Sequence, residues 1–299
     1  MNTSQAKAAA RTDQQAEFDS LMPASRLDRR GFIVTALGAG FALAVQPTAA
    51  QSPIKTGSEG LVAGEIKVPV ADGEMVAYRA MPAGKTRVPV VLVVSEIFGV
   101  HEYIADVCRR LAQEGYLAIA PELFARYGDP RKYASVADLY AAVVAKVPDA
   151  GVMKDLDACV AWAGKNGGDA ARLGITGFCW GGRHTWLYAA HNPALKAGVA
   201  WYGRIDGEVN ERTPKYPLDL ADQMKAPVLG LYGGADQGIS MDDVSSMKDA
   251  LAKAGSTSQI HVYEGAPHAF HADYRPTYRK EPAEDGWKRL LEWLRRNGV

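Results

Sequence analysis

From residue 62 onward the chain alternates between short apolar segments and amphipathic segments, and this alternation limits its fold more than any other feature. The strand-like runs cover residues 87–99, 116–123, 172–178, 197–203, 227–234 and 259–265. The helix-like runs cover residues 103–114, 134–146, 152–165, 181–191, 241–253 and 283–296. Strands separated by helices predict an α/β fold with a mostly parallel central sheet and helices on both faces.

A hairpin is predicted ahead of this pattern. Residues 65–81 read as two strands around Asp72-Gly73, a dipeptide typical of tight turns. No linker-like stretch interrupts the alternation that follows, and a hydrophobic content of 47% is ample for one large core. Residues 51–299 are therefore predicted to form a single domain.

The charge balance and the cysteine count narrow the classes of partner. The chain has 34 basic and 34 acidic residues, so its net charge is zero. No overall positive potential therefore favours binding to nucleic acid or to an anionic membrane. Its three cysteines, Cys108, Cys159 and Cys179, form no Cys-x-x-Cys motif and are too few for a disulfide scaffold. Cys108 and Cys159 fall on apolar helix faces and read as core residues. A small-molecule ligand fits this composition best.

The first 50 residues read as a targeting segment. Arg29-Arg30 precede Phe32-Ile33, an apolar run continues to Val45, and small residues at positions 48–50 suit signal-peptidase cleavage. This pattern resembles a twin-arginine export signal, which implies the twin-arginine export machinery as a partner of the precursor and a periplasmic or secreted destination.

Other interpretations of this segment remain. The apolar run is shorter than the roughly 18 residues that a spanning helix needs, so no stable membrane anchor is expected, although a retained anchor is an alternative. A buried N-terminal helix is a second alternative. Met22 could also be the true start of the chain.

Polar side chains follow four of the predicted strands at the point where each strand ends. Glu96 follows the first buried strand, and Cys179, Asp236 and His268 follow three later ones. Because the carboxyl ends of parallel strands meet at one edge of a sheet, these groups are expected to lie close together.

Gly177-x-Cys179-x-Gly181 lies at a junction between strand and helix. It is the nucleophile-elbow pattern G-x-S-x-G with cysteine in place of serine. Glycines on either side avoid the clashes that a Cβ would cause in a sharp turn, and the start of a helix stabilises a thiolate. The order Cys179, Asp236, His268 is that of α/β-hydrolases, with His268 as the base and Asp236 orienting its ring.

The segments EIFGV, GFCWGG, GGADQG and APHAFH, taken in order, resemble the dienelactone hydrolase family of α/β-hydrolases over residues 62–299. The resemblance implies a Cys179–Asp236–His268 triad, no cofactor, and a lactone or activated ester as substrate. It also implies that Glu96 takes the thiol proton when substrate arrives. The backbone N–H groups of Ile97 and Trp180 would then form the oxyanion hole.

The sequence departs from the family at one substrate-binding position. Well-described members hold a substrate carboxylate with arginines, one of them four residues after the histidine, where this chain has Ala272. Acceptance of dienelactone itself is therefore left open. We expect a larger or more aromatic pocket, with lining contributed by Phe98, Trp180, Trp201, Tyr202 and Tyr274.

Simpler interpretations compete with each of these assignments. Cys179 could be a buried structural cysteine, Asp236 could cap the following helix, and Glu96 could be merely solvated. His268-x-x-His271 with Asp273 could be read as a metal site, but the pattern offers no third ligand at a recognisable spacing, so no metal is expected. A ligand-binding or thiol-redox protein, with Cys179 as an oxidant-reactive thiol, is the alternative function.

Overall fold

The computed structural model describes residues 53–299, so the predicted export signal over residues 1–50 lies outside the described range. The strands of this range are β1 (Leu61–Val70), β2 (Gly73–Pro82), β3 (Val88–Val94), β4 (Leu117–Pro121), β5 (Gly168–Phe178), β6 (Leu195–Trp201), β7 (Val228–Gly233) and β8 (Gln259–Tyr263). Its α-helices are α1 (Glu102–Gln113), α2 (Val136–Ala142), α3 (Asp149–Lys165), α4 (Trp180–His191), α5 (Met241–Lys253) and α6 (Lys280–Arg296).

The strands form one sheet in the order β1-β2-β4-β3-β5-β6-β7-β8. Neighbouring strands from β4 to β8 run parallel, whereas β2 is antiparallel to both β1 and β4. β1 and β2 form the predicted hairpin, in which Val70 pairs with Gly73. The prediction of a mostly parallel sheet is confirmed, and the hairpin supplies its antiparallel edge.

Helices cover both faces of the sheet because successive crossovers lead in opposite directions. The connection from β3 to β4 steps one way and that from β5 to β6 steps the other, so right-handed crossovers place α1 and α4 on opposite faces. α6 lies with α1, since the Arg110 guanidinium stands 4.0 Å from the centre of the Trp287 ring. α3 lies with α4, where Tyr188 donates a hydrogen bond of 2.9 Å to Asp157.

β3 lies at the centre of the sheet and fixes where a site can form. Its residues 90–94 are all valine or leucine and completely buried, as expected for a strand covered on both faces. β4 and β5 flank β3 on either side, so the direction in which successive strands are added to the sheet reverses there. A crevice forms outside the carboxyl ends of strands at such a switch point.

Residues 134–146 depart from the single helix that the sequence predicts. α2 starts after Ser135, which accepts a hydrogen bond from the Asp138 amide, and it ends at Ala142. Val143 leaves helical geometry and is completely buried, and a separate 3-10 turn, Val144–Lys146, follows. A further 3-10 helix, Pro217–Gln223, has no counterpart in the prediction. The helix is interrupted at the point where Val143 and Val144 are buried in the core.

Candidate active site

The connection between β5 and α4 is a sharp turn with Cys179 at its apex. Cys179 has φ 53° and ψ −115°, a conformation that costs energy for any residue with a Cβ. Its N–H donates to the Trp201 carbonyl at 3.0 Å, which ties the turn to β6. The Cys179 side chain lines a pocket of about 350 Å³. The turn thus holds a thiol at the carboxyl edge of the sheet.

The two flanking glycines allow the chain to pack closely around this turn. A Cβ on Gly177 would lie 2.2 Å from the Gly181 carbonyl oxygen, and a Cβ on Gly181 would lie 2.2 Å from the Val94 carbonyl oxygen. Both distances are far inside van der Waals contact, and both neighbours are backbone atoms that cannot rotate away. The pattern Gly-x-Cys-x-Gly is therefore required by packing at this turn.

Asp236 and His268 meet beside the turn. They follow β7 and β8, and the Ala235 N–H joins their loops by donating to the Ala266 carbonyl at 3.0 Å. Asp236 Oδ2 lies 2.7 Å from His268 Nδ1, and Asp236 Oδ1 accepts from the Gly238 N–H at 2.8 Å. With both carboxylate oxygens engaged, Asp236 holds the imidazole in one orientation.

The free nitrogen of His268 and the sulfur of Cys179 influence each other. Nε2 of His268 is buried and makes no regular hydrogen bond within residues 53–299. Burial by itself would lower the pKa of His268, but the Asp236 carboxylate and the Cys179 sulfur outweigh it and raise the pKa to about 10. The ring therefore favours its cationic form, which would stabilise negative charge on the sulfur.

Glu96 reaches the same edge from β3. Val94 of β3 pairs with Gly177 of β5, so Glu96 and Cys179 each lie two residues beyond the same rung of the sheet. Glu96 is completely buried and does not line the pocket. Its Oε1 accepts a hydrogen bond of 3.3 Å from the Tyr274 hydroxyl. Glu96 is thus a buried carboxylate beside the turn, not a solvated one.

The pocket is lined by only part of the predicted aromatic set. Trp180 and Tyr202 line it together with Cys179 and His268. Phe98, Trp201 and Tyr274 lie outside this lining, and Phe98 and Tyr274 border a neighbouring cavity of about 440 Å³ instead. Ile97 is buried and also outside the lining. Roles for these four residues in oxyanion or substrate binding stay predictions.

Backbone strain is concentrated around this pocket. Within residues 53–299, the non-glycine residues with positive φ are Arg87, Cys179, Tyr202 and Ala269. Cys179 and Tyr202 line the pocket, and Ala269 directly follows His268. Strained conformations are typical of functional sites, where the surrounding structure holds them in place.

Sequence reasoning missed the opposite wall of the pocket. This wall comes from the segment around α2 and from the loop after β6, and its members are Tyr140, Val144, Ala145, Val147, Arg204, Glu208, Asn210, Thr213 and Tyr216. Neither segment carries a recognisable motif. Their approach to Cys179 depends on contacts between distant parts of the chain.

A buried ion-pair cluster makes these contacts. Arg183, on the first turn of α4, donates two hydrogen bonds of 2.7 Å to Asp149 at the start of α3. His184 Nε2 lies 3.1 Å from the same carboxylate, and Arg183 also donates to the Lys215 carbonyl at 2.7 Å. Burial would raise the pKa of Asp149, but Arg183 and His184 outweigh it and lower the pKa to about 2. The cluster links α3, α4 and the loop after β6.

The residues considered for a metal do not converge. His271 is buried with its Nδ1 2.6 Å from the Tyr103 hydroxyl, whereas His268 is bound to Asp236. Across residues 53–299 no group of three or more His, Cys, Asp or Glu side chains is arranged to hold a metal ion. Cys108 and Cys159 are buried free thiols, as predicted for core residues.

A doubly wound sheet with a thiol, a carboxylate and an imidazole at the ends of three strands, in this chain order, defines an α/β-hydrolase. Residues 75–298 match the model of the dienelactone hydrolase family. The chain belongs to that family, and it is accordingly a hydrolase.

Relatives and a solved structure agree with this membership. A protein of Methylorubrum extorquens named "Putative carboxymethylenebutenolidase" is 60% identical over 285 residues, which cover 95% of this chain and 98% of the relative. A protein of the same name from Escherichia coli K12 is 52% identical, over 89% of this chain and 98% of its own length. The crystal structure of the "Putative Dienelactone Hydrolase" from Klebsiella pneumoniae is 56% identical and has a TM-score of 0.78, over 79% of this chain and 99% of that one.

None of the helices within residues 53–299 is both long and apolar enough to cross a bilayer.

Proposed function

We propose that this protein hydrolyses a lactone or a small carboxylic ester, with Cys179 as nucleophile and a thioester as intermediate. The observation that carries the proposal is that Cys179 and His268 line the same pocket while Asp236 holds the imidazole from behind, with 2.7 Å between Asp236 Oδ2 and His268 Nδ1. The thiol supplies a nucleophile, and the imidazole held by the carboxylate supplies an acid for the leaving group and a base for water.

The reaction takes place in two halves. The Cys179 sulfur attacks the carbonyl carbon of the substrate after Glu96 takes the thiol proton, the C–O bond breaks, and the alkoxide receives a proton from cationic His268. His268 then removes a proton from water, which attacks the thioester. The acid product leaves and the sulfur regains its proton.

The charge that develops on the carbonyl oxygen needs hydrogen-bond donors. Trp180 is the first residue of α4, so its N–H belongs to the helical turn that has no intrahelical acceptor. Ile97 follows Glu96 at the adjacent strand end, as Trp180 follows Cys179. These two N–H groups are the proposed oxyanion hole, and the helix dipole of α4 adds to their effect.

The pocket limits the size of the substrate. Its volume of about 350 Å³ is at the small end of the range for ligand sites, roughly 300–1,000 Å³. Trp180, Tyr140 and Ile239 give it apolar surface, and Arg204 and Asn210 give it polar surface. A compact ester or lactone with one polar substituent suits this lining, and no cofactor is required for the chemistry.

Steady-state hydrolysis of a panel of aryl esters and lactones, dienelactone among them, tests the proposal. Cys179→Ala is the test variant, and Cys159→Ala is the matched control, because Cys159 is a buried thiol on α3 outside the pocket. Turnover that is lost in Cys179→Ala and kept in Cys159→Ala supports the cysteine hydrolase. If the fully reduced wild type turns over no member of the panel, the binding or thiol-redox alternative replaces it.

We further propose that the precursor is exported by the twin-arginine machinery to the periplasm or beyond. The support is the Arg29-Arg30 pair with its following apolar run. Replacing both arginines by lysine is expected to leave the protein in the cytoplasmic fraction of a producing bacterium. Unchanged export of that variant would refute this route.

A further inference from the structure

The carboxylate of Glu96 lies between a phenol and an imidazole. Tyr274 donates to Oε1, as described above, and His101 Nε2 stands 3.4 Å from Oε2. That distance exceeds an ordinary N–H···O bond. Glu96 Oε2 and His101 Nε2 are both buried, and within residues 53–299 neither has a regular hydrogen bond. Glu96 Oε2 and His101 Nε2 are therefore two buried polar atoms that face each other without a regular hydrogen bond.

The backbone after Glu96 folds so that His101 returns to it. The Gly99 N–H donates to the Glu96 carbonyl at 3.4 Å, and the Val100 N–H donates to Glu122 Oε2 at 2.9 Å. Gly99 has φ +73°, and a Cβ there would lie 2.7 Å from Glu122 Oε2, so the turn requires glycine. His101 is then the N-cap residue of α1. Glu122 thus holds the turn that brings the imidazole back over Glu96.

Aromatic neighbours fix the ring of His101. It packs edge-to-face on Tyr274, with ring centres 5.0 Å apart, and stacks on Tyr103 at 5.9 Å. Its side chain is 20% exposed, and it borders the two cavities next to the candidate active site without lining the pocket of Cys179. The charged side chains that line those cavities include Glu102, Glu122 and Arg131. The polar group of the candidate site that His101 faces is the Glu96 carboxylate.

We propose that His101 is a positioning residue for Glu96, whose imidazole accepts a hydrogen bond from the Glu96 carboxyl group after that group takes the proton of Cys179. This inference rests on the proposed function, because it concerns how the thiol loses its proton. The S–H bond breaks, an O–H bond forms on Glu96, and that O–H donates to neutral His101 Nε2. The proton returns to sulfur when the thioester has been hydrolysed.

The two partners of Glu96 act in opposite directions. A hydrogen-bond acceptor such as His101 stabilises the protonated carboxyl group and so favours the thiolate. A donor such as the Tyr274 hydroxyl stabilises the ionised carboxylate and so opposes proton transfer from Cys179. Removal of each partner should therefore shift the reactivity of the thiol with opposite sign, which a general loss of packing would not do.

The test measures two properties in the wild type and in four variants of the full chain. One is the rate of Cys179 alkylation by iodoacetamide, and the other is the pair of constants kcat and KM for an ester substrate. His101→Phe keeps an aromatic ring and removes the acceptor, and His101→Gln restores an acceptor. Tyr274→Phe removes the donor. His191→Phe is the matched control, since His191 is a half-exposed histidine at the far end of α4 that pairs with Asp157.

We expect His101→Phe to lower the alkylation rate and kcat by about ten-fold, the order of one hydrogen bond, with KM unchanged. His101→Gln should recover most of the loss, Tyr274→Phe should raise the alkylation rate, and His191→Phe should match the wild type. The inference is overturned if His101→Phe alkylates at the wild-type rate, or if His101→Phe and Tyr274→Phe slow alkylation alike. An active Cys179→Ala variant would instead overturn the proposed function itself.

Discussion

Asp236 Oδ2 lies 2.7 Å from His268 Nδ1, and both side chains are almost completely buried. Because Asp236 also accepts from the Gly238 N–H, its carboxylate can hold only one ring orientation, with Nε2 of His268 directed away from it. In the proposed reaction, this pair sets the orientation of the ring that protonates the alkoxide and then removes a proton from water.

Asp236→Asn is expected to lower kcat/KM for ester hydrolysis by about 10³-fold or more, because an amide can stabilise the wrong tautomer and cannot stabilise an imidazolium. Steady-state kinetics measures the effect. Asp242→Asn is the control, since Asp242 is exposed on the first turn of α5. A loss of less than about three-fold would mean that Asp236 does not orient a catalytic base.

The three thiols should differ in reactivity. Burial raises the pKa of Cys108 and of Cys159 well above the usual range of a thiol, whereas Cys179 lines the pocket beside cationic His268. Iodoacetamide should therefore modify Cys179 alone in the native protein, and all three thiols after denaturation. Peptide mass spectrometry identifies which cysteines are modified. Native modification of Cys108 or Cys159 at a rate similar to that of Cys179 would contradict this account.

Gly181→Ala tests whether the turn needs its glycines. A methyl group there would lie 2.2 Å from the Val94 carbonyl oxygen, so the strand or the turn must move. We expect loss of hydrolysis and a fall in unfolding free energy of about 1–3 kcal/mol or more, as for overpacked cores. Gly164→Ala is the control, because Gly164 lies within α3 with open space around it. That control should be neutral or more stable by about 0.5–1 kcal/mol in denaturant unfolding. Equal stabilities of the two variants would contradict the packing argument.

The Asp149 cluster predicts a dependence of stability on pH. Since its pKa is lowered to about 2, the stability that Asp149 contributes is present above the ordinary carboxyl pKa near 3.8 and is lost as the pH falls toward 2. Asp149→Asn should cost about 3 kcal/mol near neutral pH, because it leaves buried Arg183 unpaired. Denaturant unfolding at neutral and acidic pH measures the difference between wild type and variant. A difference that stays constant down to the acid transition would refute this role.

The junction of β5 and α4 was predictable because its signal is local. Contacts inside the turn and with the neighbouring strand require a glycine two residues before and two residues after Cys179. Both glycines belong to the Gly-x-Cys-x-Gly pattern, which can be recognised in the sequence. The same holds for the hairpin at Gly73 and for the strand ends at Asp236 and His268. Each depends on residues close in sequence or on the general rule that parallel strands end at one edge.

The pocket wall was not predictable, since it depends on contacts between segments distant in sequence. Asp149 and Arg183 are 34 residues apart in the sequence, and no local sequence pattern predicts their ion pair. A residue close to a motif in sequence need not line the pocket of Cys179. Trp201 ends β6 and Tyr202 follows it with a positive φ, and of these two neighbours Tyr202 lines the pocket whereas Trp201 does not.

In the proposed mechanism, Cys179 carries the acyl group during turnover. The direct measurement is intact-protein and peptide mass spectrometry after rapid mixing of an activated aryl ester with the protein and acid quenching, in the wild type and in His268→Asn. We expect one acyl group on the Cys179 peptide, with greater accumulation in His268→Asn because hydrolysis of the thioester lacks its base. Hydrolysis without any acyl group on Cys179, or an acyl group on another residue, would contradict it.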